Sequence, residues 1–179
     1  HLMALRLIPN LDVIRPSNSI EIKHAYRYAF TKSGNPKAIV LTRQNLEYLE
    51  FENSYQDFIN GASIVSDGTE ATIFASGSEL ELAFAVKEAL KENSIRIVST
   101  PILNKLENIS SETLNGLKVS DLNFTIELGR SVGWTTYLGP ITRSFSIEEF
   151  GTSAPITSLQ EEFKFTSDNI SSEIKKFLN

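Results

Sequence analysis

Apolar residues fall along the chain in two regimes, separated by a polar interval. In the first, residues 10–14 are a short β-prone run stopped by Arg15-Pro16, since proline disfavours helical geometry in the residue before it. Ile22, Ala25, Tyr26, Ala29 and Phe30 then recur at helical spacing and predict a helix with an apolar face. Ser17, Asn18 or Ser19 can cap it, Glu21 puts negative charge in its first turn, and Ser33-Gly34-Asn35-Pro36 ends it. Residues 38–41 (AIVL) are continuously apolar, as in a strand enclosed on both faces of a parallel sheet. Strand, helix and strand make a single βαβ unit. One such unit cannot close a core, so residues 1–45 read as the end of a larger α/β domain.

Residues 46–60 carry Glu47, Glu50, Glu52, Asn53, Gln56, Asp57 and Asn60 among scattered aromatics, and read as a linker. The second regime is residues 61–179. Residues 62–65 and 71–75 are short strands around Asp67-Gly68, a turn dipeptide that predicts a hairpin. Residues 79–92 are the clearest helix, with Leu80, Ala83, Phe84 and Leu90 on its apolar stripe. Strands follow at 95–99, 124–128 and 143–147, and helices at 155–163 and 167–178, the last with Thr166 as its N-cap. The sum is an α/β fold: a mixed, mostly parallel five-stranded sheet with helices on both faces, preceded by a partial βαβ unit.

Composition narrows the function classes. Lys and Arg total 17 against 22 Asp and Glu, a net charge of −5, with a pI near 5.1. That balance disfavours a nucleic-acid surface, which needs clustered basic residues, and docking on anionic lipid. No apolar run approaches the roughly 20 residues that span a bilayer, and no signal-peptide pattern opens the chain. A cytoplasmic protein is the expectation. The opening His-Leu-Met suits an internal fragment or a tag remnant. With no cysteine, disulfides and thiolate metal sites are excluded.

Candidate chemistry is sparse. Arg43, in Leu41-Thr42-Arg43-Gln44-Asn45-Leu46, follows a strand, and open parallel sheets bind ligands beyond the carboxyl ends of their strands. A guanidinium there suits bidentate phosphate binding, or else a surface ion pair. Ser76-Gly77-Ser78-Glu79 offers helix N-terminal amides to an anion, but Ser78-x-x-Glu81 reads better as a capping box that satisfies those amides. Ser153 is an N-cap rather than a nucleophile, because only His1 and His24 are available as a base and His24 sits mid-helix. Trp134 and Tyr137 read as core or interface aromatics with paired polar tips. Glu148 and Glu149 are adjacent and would face opposite ways in a strand. No catalytic constellation and no metal site emerge.

Five stretches together resemble transketolases. Residues 5–16 (LRLIPNLDVIRP) are similar to "LRxxPNLxVxRP", residues 42–46 (TRQNL) to "[ST]RQNL", and residues 75–79 (ASGSE) to "ATGSE". Glu127, Gly129, Trp134, Tyr137 and Gly139 resemble "VExG…W…YxG", and residues 150–166 resemble "FGxSAPxxxLxEEFGFT", with Lys164 where the family has Gly. Residues 107–122 and Pro140 to Arg143 also depart from the family's wording. The resemblance implies the C-terminal part of a homodimeric enzyme that moves two-carbon ketol units between sugar phosphates in the pentose phosphate pathway. It implies thiamine diphosphate and Mg²⁺ in the intact enzyme, and neither in this piece, whose catalytic glutamate, histidines and metal ligands would lie upstream. Residues 1–45 would then be the tail of a pyrimidine-binding domain and 61–179 the third domain. Arg43 matches the family's sugar-phosphate arginine. Deoxyxylulose-phosphate synthase and the β-subunit of a 2-oxoacid dehydrogenase share the domain plan with other wording at these positions. A non-catalytic dimerisation or regulatory domain is the alternative from outside the enzymes.

Overall fold

The computed structural model describes residues 1–31 and 34–178. A short helix, α1 (Leu2–Arg6), leads to β1 (Asp12–Ile14), α2 (Ser19–Thr31) and β2 (Lys37–Ile39). β1 and β2 pair in parallel with Val13 opposite Ala38, so the expected βαβ unit forms. Asn18 caps α2: its Oδ1 accepts the Glu21 N–H at 2.9 Å, satisfying an amide that the first helical turn leaves without a carbonyl. Ser33, expected at the helix end, lies outside the described residues.

Two expectations for this unit are corrected. α2 buries Glu21, Ala25 and Tyr28, while Ile22, Tyr26 and Phe30 face outward, Phe30 at 84% exposure. The helix is rolled toward Ile14, Phe58 and Ile102, where its polar groups are also met. Tyr28 donates to Asp12 at 2.6 Å, and Asp12 pairs with Lys105 at 2.8 Å. β2 is half-buried rather than enclosed, because a strand is enclosed only by neighbours on both sides and this sheet has two strands.

Glu21 is fully buried. Its carboxyl gathers the Ser17 N–H at 2.9 Å, the Ser17 hydroxyl at 2.7 Å, the Ser99 hydroxyl at 2.6 Å and the Asn53 amide at 3.1 Å. Burial pushes its pKa up, against the pull of these donors. A carboxyl raised in the folded state holds its proton where the unfolded chain has lost it, so its contribution to stability falls as pH rises above the ordinary carboxylate value. Glu21→Gln removes that titration. Denaturant unfolding of both proteins at pH 4.5 and 7 should show the deficit of the Gln variant shrinking as pH rises; a growing deficit would mean that Glu21 is ionised in the fold.

Residues 46–60 contain a helix that the hydrophobic pattern does not reveal, α3 (Tyr55–Asn60). Ser54 caps it, accepting the Asp57 N–H at 3.0 Å, and Gly61 ends it at φ 107°. A side chain on Gly61 would also meet the Ile102 carbonyl oxygen at 2.7 Å. Phe51 and Phe58 are buried, Phe51 stacking on Phe84.

From there run β3 (Ser63–Ser66), β4 (Ala71–Ala75), α4 (Glu79–Ala89), β5 (Ile95–Ser99), a 3₁₀ turn (Leu103–Asn108), α5 (Ser111–Gly116), β6 (Asn123–Ile126), α6 (Trp134–Leu138), β7 (Arg143–Phe145), α7 (Ile156–Glu162) and α8 (Ser167–Leu178). The strands form one five-stranded sheet in the order β3-β5-β4-β6-β7, parallel from β5 to β7, with β3 antiparallel at the edge. Along β4, Ile73 faces the α4–α8 layer and Phe74 faces Trp134 and Leu138, so helices cover both faces as expected. The Thr166 cap forms, its hydroxyl accepting the Asn169 N–H at 3.4 Å.

The expected hairpin does not form: β3 pairs with β5, and β4 lies on the other side of β5. The Asp67-Gly68 segment is bound to the start of β5 instead of closing on itself. Asp67 holds Arg96 at 2.7 Å, Thr69 and Glu70 donate to the Ser94 carbonyl at 3.0 and 2.8 Å, and a Cβ on Gly68 would sit 2.2 Å from the Ile95 carbonyl carbon.

Candidate functional site

Arg43 stands in the loop beyond the carboxyl end of β2, and its side chain is exposed. The Val40 N–H donates to the Ile14 carbonyl at 2.8 Å, carrying the β1–β2 pairing one residue further. Thr42 Oγ1 accepts the Gln44 N–H at 3.1 Å and turns the chain around Arg43. The loop ends against α4, where the Glu47 N–H donates to Glu81 at 3.3 Å. A cleft of about 330 Å³ separates Thr42, Gln44 and Leu46 from Ser78, Glu79 and Leu82.

The capping box expected at this end of α4 does not form. Gly77 takes a left-handed φ of 59°, Ser78 is already helical and donates to Glu79, and the Glu81 carboxylate is taken by Glu47. Glu79 faces another way, into a buried cluster. Sheet order reverses about β4, whose neighbours β5 and β6 follow it in sequence, and doubly wound sheets bind ligands outside the carboxyl ends at such a reversal. Here that crevice holds Ser76 after β4 and Glu127 after β6, and arginines from the start of the chain fill it. Arg15 reaches Ser76 at 2.9 Å, Glu79 at 2.7 Å and Glu127 at 2.9 Å through one nitrogen. Arg6 binds Glu127 with both terminal nitrogens at 2.7 Å. Ser76 and the Trp134 indole N–H also donate to Glu127, at 2.7 and 3.1 Å. The Arg15 backbone is held too, its N–H on the Pro101 carbonyl at 2.8 Å and its carbonyl on the Gly77 N–H at 3.0 Å.

Burial alone would raise the pKa of Glu127, but the Arg6 and Arg15 guanidiniums and the Ser76 hydroxyl hold it down at about 2. For Arg15, burial lowers the pKa, and the charges of Glu79 and Glu127 more than reverse that. The hydrophobic pattern gives no hint of this cluster. The available signal was polar Ser76, Glu79 and Glu127 directly after strongly apolar strands, at the sheet end where ligands bind.

The remaining candidates behave structurally. Trp134 and Tyr137 are core residues, as expected. Glu148 accepts the Ser131 N–H at 2.9 Å and pairs with Arg130 at 3.2 Å. Ser153 caps nothing, because Pro155 occupies the capping position of α7. His24 packs on Tyr55 and Phe58, with Nε2 3.1 Å from the Asn53 carbonyl oxygen. Among the described residues no three His, Asp or Glu side chains converge to hold a metal ion.

Comparison with known proteins accounts for this arrangement. Residues 61–166 match the model of the transketolase-like TK C-terminal domain, and residues 1–48 that of the transketolase pyrimidine-binding domain. The chain belongs to the transketolase family. It is 36% identical over 186 residues to the transketolase of Halalkalibacterium halodurans, covering 99% of this chain and 28% of that protein. The Leishmania mexicana transketolase superposes with a TM-score of 0.88 at 29% identity, over 97% of this chain and 26% of that one. A Pichia stipitis transketolase, described in complex with sedoheptulose-7-phosphate, does so at 0.86 and 27% identity, over 98% and 26%. The chain thus corresponds to the C-terminal part of a transketolase and spans little more than a quarter of the length of these relatives.

Proposed function

We propose that this chain completes an enzyme that transfers two-carbon ketol units between sugar phosphates, and that Arg43 is its own contribution to the substrate site. The observation that carries the reading is the exposed guanidinium in a TRQNL loop beyond a parallel strand, in a chain that belongs to the transketolase family. The Pichia stipitis relative described with a bound sugar phosphate supports the substrate class. Residues 1–45 act as the end of the pyrimidine-binding domain, 46–60 as the connection, and 61–179 as the third domain. Thiamine diphosphate supplies the carbon–carbon bond chemistry in such an enzyme. As the family resemblance implies, it and Mg²⁺ both bind to parts of the polypeptide upstream, and this piece alone is inactive. The whole enzyme works as a cytoplasmic homodimer in the pentose phosphate pathway.

Arg43 binds and orients; it does not move protons, because arginine stays charged. In the full-length enzyme, Arg43→Ala should lower kcat/KM for phosphorylated donors by about ten- to a hundredfold, the range for a lost charge-assisted contact. Hydroxypyruvate, a donor without phosphate, should be spared, and Arg43→Lys should recover part of the loss by keeping the charge without the fork. Equal losses on both kinds of donor would sink this reading.

A further inference from the structure

Both ends of the Arg43 loop are tied to the first turn of α4. At the outgoing end the tie is direct, from the Glu47 N–H to the Glu81 carboxylate at 3.3 Å. At the incoming end it runs through one residue. Val40 hangs on the Ile14 carbonyl at 2.8 Å, and the adjoining residue, Arg15, is fixed by its backbone to Pro101 and Gly77 and by its guanidinium to Glu79 at 2.7 Å. A pair of three-residue strands has too few ladder hydrogen bonds to fix its own position, so β1 and β2 are held from outside, by Arg15 together with the Asp12–Lys105 pair and Asn104, whose Oδ1 accepts the Val13 N–H at 3.4 Å. Side chains of the loop and of α4, among them Thr42 and Leu46 on one side and Glu79 and Leu82 on the other, line one cleft. A helix on a five-stranded sheet is therefore the rigid base, and the loop bearing Arg43 is slung from two glutamates on it.

We propose that Glu79 and Glu81 are positioning residues for sugar-phosphate binding, acting on Arg43 through Arg15 and through the Glu47 amide. The proposal rests on the reading of Arg43 as the phosphate ligand. It assigns the third domain a part in substrate binding, although none of its described side chains need touch the substrate. Forked guanidinium–phosphate recognition is sensitive to small displacements, because both N–H donors must stay aligned with two oxygens.

The test uses the full-length enzyme with Glu79→Gln, Glu81→Ala and Arg43→Ala, singly and combined, assayed with a phosphorylated donor and with hydroxypyruvate. Each glutamate variant should raise KM for the phosphorylated donor about three- to tenfold with kcat kept, and leave hydroxypyruvate kinetics unchanged. In the Arg43→Ala background neither should add a further loss, since residues acting through one another are not additive. Losses shared by both donors, or losses that persist in full without Arg43, overturn the proposal. A failure of the phosphate reading itself is read separately, from Arg43→Ala alone losing both donors equally, and it removes the proposal with it. Should Glu79→Gln not fold, the half-buried Glu81 decides by the same comparison.

Discussion

Glu127→Ala is expected to destabilise the chain by about 3–5 kcal/mol, the range for removing one partner of a buried ion pair. The cost falls chiefly on Arg6. Both its terminal nitrogens donate to Glu127, whereas Arg15 keeps Glu79 at 2.7 Å. The Trp134 indole N–H loses its acceptor as well. Denaturant unfolding measures the loss, and a second change identifies its source. Adding Arg6→Met to Glu127→Ala removes the stranded charge and should recover a substantial part of the stability. No recovery would place the cost elsewhere. The same carboxylate gives an acid limb. Its pKa is depressed in the fold to about 2 from an ordinary 4.5, so its contribution is full above the unfolded value and is lost as pH falls from about 4.5 toward 2. The difference corresponds to roughly 3 kcal/mol, and Glu127→Ala should flatten the stability profile over that window.

Phe58→Ala should cost about 3–5 kcal/mol, as a large aromatic removed from a closed site leaves a cavity. Phe58 is fully buried and lies between α2, β1 and the 3₁₀ turn that follows β5, in contact with Ile14, Ala25, Tyr28 and Ile102. Its loss should be felt unevenly. Amide exchange in β1 and α2 should rise well before exchange in β4 and β5, because the buried cluster around Phe58 draws on β1 and α2. Uniform acceleration across both would show that the two parts unfold as one.

Much of the fold is legible from local pattern. β4 and β5 read as short strands, α4 as a periodic stripe and the start of α8 from Thr166, because in each the local residues carry the signal. What escaped depends on distant partners. Asp67-Gly68 looks the same whether it closes a hairpin or crosses a neighbouring strand, and Arg96 and Ser94 decide the matter. Ser78-x-x-Glu81 has the wording of a capping box, yet an amide from residue 47 claims the carboxylate. Ile22, Tyr26 and Phe30 of the α2 stripe point outward, while Ala25 turns inward beside a fully buried glutamate with four donors. The exposed place of Arg43 beyond a strand end was legible in the sequence, whereas Arg6, Arg15 and Glu127 were individually visible and collectively invisible.

The Arg6–Glu127 contact joins positions 121 residues apart, and this separation gives the polypeptide a timetable during its synthesis. At roughly 5–20 residues per second, Arg6 is made about 6–24 s before its acceptor. For that interval Arg6 lacks its carboxylate, while Arg15 can already reach Ser76 and Glu79 and β4 can already pair with β5. Closing the long loop comes late because its entropy must be met before its contacts form. The same loop entropy applies when the whole chain refolds, so pulse-labelled exchange should find the amides of α1, which carries Arg6, closing after those of β5.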